Sequence, residues 1–558
     1  MYDELRAIQN RFGYLPADQL KVLSRKIKAP LSQIHSVASF YPHFHLTPRA
    51  KAEVRVCADM SCHLRGADQL KATLESGFRG ANPQDISIGN VSCLGRCDQA
   101  PAMMLNGAIF GGVDSATAVS MARDVLAGKP LAPPKVKRER PPLACDPYHG
   151  SGQYSVVRRC VENRDWLEII ATLKASKLRG MGGAGFPTGL KWEIVRNAPG
   201  PKYIVCNADE SEPGTIKDRH LLENAPYLAL EGMIVAGLVT GARKGILYIR
   251  HEYENAKEIL QEELDRAYNM GVLGSRVMGS DLSFDLEIFV SPGGYICGEE
   301  SALLEVIEGR RAEPRNKPPF PGQVGGGLWG RPTLINNVET FSLATVILAR
   351  GPEWYQAQGK NGSIGMKFVG ISGDVVRPGV FEVPMGTSYA DLIYDCAGGL
   401  PPGKKLLGFA PSGPSAGFLP ASMTNLALDW DAVAAAGSMV GSGAIVVCAD
   451  GRCMLDMALN ATRFYRNESC GKCVPCRMGS QTMVEMLQRW TEGHTSNDDR
   501  RALDELSTAM RLTSLCGLGQ VVPVPIKSIL KHFPEVVEDH LVRRQCPGGV
   551  CFPAAGMQ

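Results

Sequence analysis

No run in the 558 residues reaches the roughly 20 uninterrupted apolar positions that a membrane helix needs. The longest apolar region, around Tyr227–Ala242, is interrupted by Glu231 and several glycines. The opening MYDELRAIQNRF carries acidic side chains and no apolar secretion core, so a cytoplasmic location is expected. A surplus of charge is missing too. Sixty Lys and Arg against 57 Asp and Glu leave +3, too little to argue for a nucleic-acid partner. Internal repeats are absent, as is low complexity outside one proline-rich stretch.

What the sequence does have is length and cysteine. The length suits about three to five domains. Seventeen cysteines without a secretion signal point to metal ligation rather than disulfides. Helical periodicity over Asp3–Asn10, Ala17–Lys26 and Leu31–Phe40 precedes the strand pattern of KAEVRVCAD. The segment GKPLAPPKVKRERPPLACDPYHGSG, residues 128–152, reads as an extended linker. Alternating helices, strands and glycine-rich turns follow to about residue 350. From Met366, the β-like runs MKFVGI, GVFEVP, KLLGFAP and AIVVCAD surround one helical segment near Tyr389–Cys396. From Met454 the pattern is helical, with a loop at 493–497. The expected domains are 1–127, a linker at 128–152, then 153–362, 363–450 and 451–558.

Cys57, Cys62, Cys93 and Cys97 form C-x4-C, 30 intervening residues, then C-x3-C. Two pairs, one per iron, suit a [2Fe–2S] cluster. Gly95 and Pro101, in CLGRCDQAP, would let backbone N–H groups approach the cluster sulfurs. A structural zinc site is the competing reading, although zinc favours C-x2-C pairs.

LRGMGGAGFPTGLKW, residues 178–192, holds five glycines within ten positions, then Lys191. Exposed amides of such a loop can cradle phosphate, with lysine supplying charge. It matches neither the dinucleotide fingerprint in a clean strand–turn–helix nor the Walker pattern, so a plain glycine-rich turn stays open. CNADESEPGTIKDR gathers Asp209, Glu210, Glu212 and Asp218 around Asn207, and YICGEE adds Glu299 and Glu300. Such side chains can meet the donors of an isoalloxazine or ribityl chain, bind ribose hydroxyls and repel a 2′-phosphate. Any one segment alone would pass for a solvated acidic surface. PRNKPPFPGQVGGGLWGRPTLINNVETF brings Lys317, Phe320, Asn336 and Asn337.

ESCGKCVPCRMG sets Cys470, Cys473 and Cys476 as C-x2-C-x2-C, and Cys516 follows after 39 residues. Three thiolates from one loop plus a remote fourth suit a [4Fe–4S] cubane and would crowd a tetrahedral zinc. Cys546 and Cys551, in CPGGVC, lack evident partners, and most of the nine cysteines outside the two quartets are assigned to packing.

On these motifs, residues 5–125 resemble the thioredoxin-like [2Fe–2S] subunit of respiratory complex I. Residues Trp166–Pro547 resemble its FMN- and NADH-binding subunit, the diaphorase subunit of NAD-reducing hydrogenases and the β subunit of NAD-dependent formate dehydrogenases. The resemblance implies a multidomain α/β and α+β fold. Its parts would be a thioredoxin-like domain, an FMN-binding α/β domain, a β-grasp soluble ligand-binding domain without a cofactor motif, and a helical [4Fe–4S] bundle. It also implies that the two quartets ligate the clusters. Gly180, Gly182, Lys191, Asn207, Asp209, Glu210, Tyr295, Gly298, Glu299, Asn336 and Asn337 would contact FMN. Phe186, Glu212, Glu300, Lys317 and Phe320 would shape the NAD(H) site, with Glu212 and Glu300 in catalytic positions.

The implied chemistry is hydride exchange between NAD(H) and FMN and single-electron exchange with the clusters. No molybdopterin or nickel site is evident, so a partner subunit must supply the chemistry for the second substrate. RAEPRNKPPF and YIRHEY resemble the formate dehydrogenase branch, which makes a molybdenum- or tungsten-pterin subunit the expected partner. Hydrogenase and complex I subunits are the alternatives. A different class, a non-catalytic relay or zinc-stabilised scaffold, would lack flavin and iron.

Overall fold

The computed structural model describes residues 1–132, 142–494, 496 and 498–552. Three helices, Tyr2–Phe12, Ala17–Ile27 and Leu31–Phe40, form the amino-terminal arm. Each turns an apolar stripe inward, including Leu5, Leu20, Leu23, Ile34 and Val37. A four-stranded sheet follows: β1 (Ala52–Cys57), β2 (Ile86–Val91), β3 (Ala102–Leu105) and β4 (Ala108–Gly111), in the order β2-β1-β3-β4. β1 runs parallel to β2 and antiparallel to β3.

The second sheet comprises β5 (Tyr203–Ala208), β6 (Lys244–Arg250), β7 (Asp285–Ser291) and β8 (Thr333–Asn337), all parallel, in the order β7-β6-β5-β8. The chain steps outward on one side of β5 and returns on the other. A crevice therefore opens beyond the carboxyl ends of β5 and β8, where doubly wound sheets bind ligands. The helix Pro226–Thr240 is buried on nearly every face against the helix Val338–Arg350. A Cβ on Gly232 would lie 2.3 Å from the carbonyl of Phe341, so this close crossing requires glycine.

The sequence reading of 128–152 as an extended linker needs correcting in its second half. Residues 133–141 lie outside those described, but Leu143, Cys145 and Tyr148 are buried in the core around the second sheet. Glu231 accepts hydrogen bonds from the Tyr148 hydroxyl (2.7 Å) and from the amides of Tyr154, Val156 and Val157. The residue that interrupts the apolar run thus anchors a strap, because its carboxylate satisfies the free amides that open the helix Ser155–Asn163.

The third sheet orders β9 (Met366–Gly373), β10 (Gly379–Pro384), β11 (Leu406–Ala410), β12 (Leu419–Pro420) and β13 (Ala444–Ala449) as β10-β9-β13-β11-β12. The carboxy-terminal bundle contains Met454–Glu468, Val474–Thr491, Asp499–Thr513 and Val524–His532. Positions 495 and 497 of the expected loop at 493–497 lie outside the described residues. Cys546 and Cys551, without evident partners in sequence, lie beside Cys453 and His540. Among the described residues, no helix is long and apolar enough to cross a membrane.

Candidate flavin and iron–sulfur sites

The crevice beyond β5 and β8 is a cleft of about 740 Å³, within the range of cofactor sites. Asn207 and Asn337 sit opposite each other in register at the strand ends. Asn207 Nδ2 donates to the carbonyl of Gly298 (2.8 Å), which fixes the YICGEE turn over the sheet. A Cβ on Gly182 would come within 3.0 Å of Asn337 Cβ, so the 178–192 loop packs tightly on the strand at this glycine.

Of the residues expected around FMN and NAD(H), Gly182, Asn207, Asp209, Glu210, Glu212, Tyr295, Gly298, Glu299 and Asn337 line the cleft. Seven others do not. Gly180 braces the loop by donating to the Phe186 carbonyl, Lys191 Nζ donates to the Ile335 carbonyl, and Asn336 accepts from the Trp192 indole. Lys317 bridges Glu299 and Glu300 at 2.8 Å each, beside the wall rather than on it. Phe186 and Phe320 are exposed.

The carboxylates differ in how they are used. Burial raises Asp209 to about 7, and its Oδ1 has no partner, leaving a buried acceptor on the cleft wall. Burial and then Asp218 raise Glu210 to about 7, but its carboxylate is fully engaged by the amides of Asp218 and Arg219 and the Tyr253 hydroxyl. Glu212, also raised by burial, accepts from the Ser415 amide (3.0 Å) and hydrogen-bonds the Tyr295 hydroxyl.

The sequence reading missed Lys217, Thr215, Ser415, Trp430, Gly441 and Ser442 on the cleft wall. Lys217 lies inside a quoted motif, and its Nζ meets Asp218 at 2.7 Å and Glu339 at 2.9 Å. Burial works against its charge, but these carboxylates outweigh it and hold it protonated. The last four belong to the β-rich module, read from sequence as holding no cofactor motif. It supplies one wall of the cleft, a tertiary arrangement with no local signal.

The carboxy-terminal quartet adjoins this cleft, and the amino-terminal quartet is bonded to the segment Glu212–Thr215 whose ends line it. Cys57, Cys62, Cys93 and Cys97 are all buried, with Cys93 and Cys97 sulfurs 3.5 Å apart. The amide of Gly214, two residues beyond Glu212, donates to Cys97 Sγ at 3.2 Å. Arg250 donates to the Cys93 carbonyl and Arg219 to the Gly95 carbonyl, each at 2.6 Å. Cys470, Cys473, Cys476 and Cys516 surround a small void whose lining residues Ile296 and Leu518 also line the cleft. Glu468, which opens the quoted motif ESCGKCVPCRMG but is given no role there, accepts from the Tyr295 amide (2.6 Å) and hydrogen-bonds Ser92.

Unpaired thiols gathered four by four, and an orphaned acceptor in a glycine-walled cleft, fit two iron–sulfur clusters and a flavin. Family models match the same regions: thioredoxin-like [2Fe–2S] ferredoxin over 1–125, the Nuo51 FMN-binding domain over 173–345, the SLBB domain over 368–419, and the NADH-ubiquinone oxidoreductase-F iron–sulfur binding region over 456–540. An NADH-quinone oxidoreductase subunit of Rhizobium meliloti is 41% identical over 72% of this chain and 95% of its own. The NAD-reducing hydrogenase HoxS subunit alpha of Cupriavidus necator is 32% identical over 98% of this chain and 93% of its own. The chain belongs to this flavoprotein family. A crystal structure of an NAD⁺-reducing [NiFe]-hydrogenase in the H₂-reduced state superposes with a TM-score of 0.85 at 32% identity, covering 96% of this chain and 93% of that one. The protein is thus an NAD-dependent oxidoreductase module, with an FMN and NADH-binding domain, a [2Fe–2S] domain and a [4Fe–4S] region.

Proposed function

We propose that this flavoprotein is the NAD(H)-linked electron-transfer subunit of a formate dehydrogenase complex, with formate oxidised on a partner subunit that holds a molybdenum or tungsten pterin. The observation that carries the electron-transfer reading is that one cleft adjoins the carboxy-terminal quartet while its wall segment Glu212–Thr215 bonds the amino-terminal one through Gly214. The formate branch rests on RAEPRNKPPF and YIRHEY, the segments in which Arg311 donates to the Cys470 carbonyl and Arg250 to the Cys93 carbonyl. The likeness to the alpha subunit of a hydrogenase, over the whole length, favours a second reading, a diaphorase that serves hydrogen oxidation.

Bound in the cleft, FMN supplies hydride exchange with NAD(H) and one-electron exchange with iron–sulfur clusters. Gly182, Asn207, Asp209, Tyr295, Gly298, Glu299 and Asn337 hold the flavin. Gly180, Lys191, Glu210 and Asn336 act as positioning residues, since their polar groups are engaged within the protein. Phe186, Glu212, Glu300, Lys317 and Phe320 shape the dinucleotide site. Hydride transfer needs no protein acid or base, so these side chains orient the dinucleotide and set the local field. Cys57, Cys62, Cys93 and Cys97 hold the [2Fe–2S] cluster, and Cys470, Cys473, Cys476 and Cys516 the [4Fe–4S] cluster.

The native complex, purified from its source, tests the partner. Formate-dependent NAD reduction without a hydrogen-dependent rate is the expected result, and the reverse pattern selects the hydrogenase reading.

A further inference from the structure

A third group of thiols lies outside both quartets. Cys453 ends the turn after β13 and caps the helix Met454–Glu468; His540 sits in the π-helical turn Asp539–Arg543; Cys546 and Cys551 flank the PGGV segment. The three sulfurs and one imidazole nitrogen all lie within 4.8 Å of one another. Cys453 Sγ is 3.4 Å from His540 Nε2 and 3.7 Å from Cys551 Sγ. A tetrahedral zinc, with Zn–S of about 2.3 Å and Zn–N of about 2.0 Å, spaces its ligand atoms about 3.8 Å (S···S) and 3.5 Å (S···N) apart. The two measured separations match that geometry. The Cys453–Cys551 sulfur separation also exceeds by far the bond length of about 2.05 Å in a disulfide.

The surroundings are built for ligation. His540 Nδ1 lies 2.7 Å from the Val536 carbonyl, which places the proton on Nδ1 and turns the Nε2 lone pair toward the three thiols. The Phe552 ring stacks on the imidazole with centroids 5.4 Å apart and helps exclude water. Gly548 packs on the backbone of Arg452 and Cys453, where a Cβ would meet Arg452 at 2.8 Å, so the PGGV segment can seat both flanking cysteines beside Cys453. Cys453 and Cys551 are buried, and His540 is fully so.

We propose that Cys453, His540, Cys546 and Cys551 bind one structural zinc ion. Three thiolates and one imidazole select zinc over hard, oxygen-preferring cations, and four protein ligands leave no position for substrate. Mutual distances below 4.8 Å enclose a single ion rather than the body of a multi-iron cluster. The ion ties the segment after His540 to the junction between the third sheet and the helical bundle. There Arg452 also pairs with Asp374 at 2.8 Å.

Metal analysis and zinc-edge X-ray absorption on the full-length, cluster- and flavin-loaded chain test this. One zinc per chain, with about three sulfurs near 2.3 Å and one nitrogen near 2.0 Å, is expected. Cys546→Ser and Cys551→Ser should each lower zinc occupancy and thermal stability. Iron, flavin and the rate of NADH oxidation by ferricyanide should stay at wild-type levels. Zinc-free wild-type protein with full iron content, iron bound in place of zinc, a disulfide among these cysteines, or zinc fully retained by both variants would each overturn the proposal. The absorption measurement needs no variant, so a failure of either variant to fold leaves the test intact.

Discussion

The two cysteine quartets differ in their degree of shelter. In the amino-terminal quartet every thiol is buried, and Arg250, Arg219 and the Gly214 amide from the flavin domain close over it. In the carboxy-terminal quartet only Cys476 is buried, and the neighbouring Val474 and Met478 are more than half exposed. Exposure decides which centre an outside redox partner can approach. On the function proposed above, the more exposed Cys470–Cys516 centre would be the exit toward the partner and the sheltered one would store an electron.

Serine at one ligand of each quartet tests this asymmetry with the largest effect. Cys473→Ser should remove about four irons per chain. Partner-linked NAD reduction should fall more than about 100-fold, beyond the usual cost of losing an outer-shell group. NADH oxidation by ferricyanide should survive. Cys97→Ser should abolish the [2Fe–2S] signal in electron paramagnetic resonance yet keep most of the partner-linked rate. Equal loss in the two variants would break the asymmetry and make both centres part of one obligatory route.

A smaller effect is expected where the two regions meet. Glu212 touches Tyr295 and Ser415, and Gly214, two residues on, donates to Cys97. Glu212→Gln keeps the shape but changes the field, and should slow NADH oxidation by ferricyanide about 3- to 10-fold, the worth of one hydrogen bond. An unchanged rate would remove Glu212 from the dinucleotide site.

Much of this was legible before the structure. The quartets announce themselves by spacing, and the three arm helices by their apolar stripes. Asn207 and Asn337 stood out as motif residues, but their pairing across β5 and β8 depends on strand order, which no local pattern encodes. The same holds for Ser415, Trp430 and Ser442, brought to the cleft from a module with no motif of its own. Lys191 and Asn336 resemble ligand contacts in sequence, yet their polar groups satisfy neighbouring backbone and indole partners. A residue type shows what a side chain can bond, and packing decides which partner reaches it first.

The smallest effect belongs to a control that touches neither quartet. Burial raises Glu231 to about 7 although four donors satisfy it, whereas Asp209, also raised to about 7, keeps an orphaned oxygen on the cleft wall. For Glu231 the folded state holds its proton to a higher pH than the unfolded chain, whose carboxyl titrates near the ordinary value of 4.5. Between about 4.5 and about 7 the native state therefore binds more protons than the unfolded state, and stability falls as the pH rises through that window. Glu231→Gln cannot ionise, so its melting temperature relative to wild type should climb from pH 5 to pH 8, with NADH oxidation by ferricyanide unaffected throughout. A constant difference across that range would mean that Glu231 is already ionised at pH 5 and that its four donors outweigh its burial. The strap would then be held by a charge rather than by a shared proton.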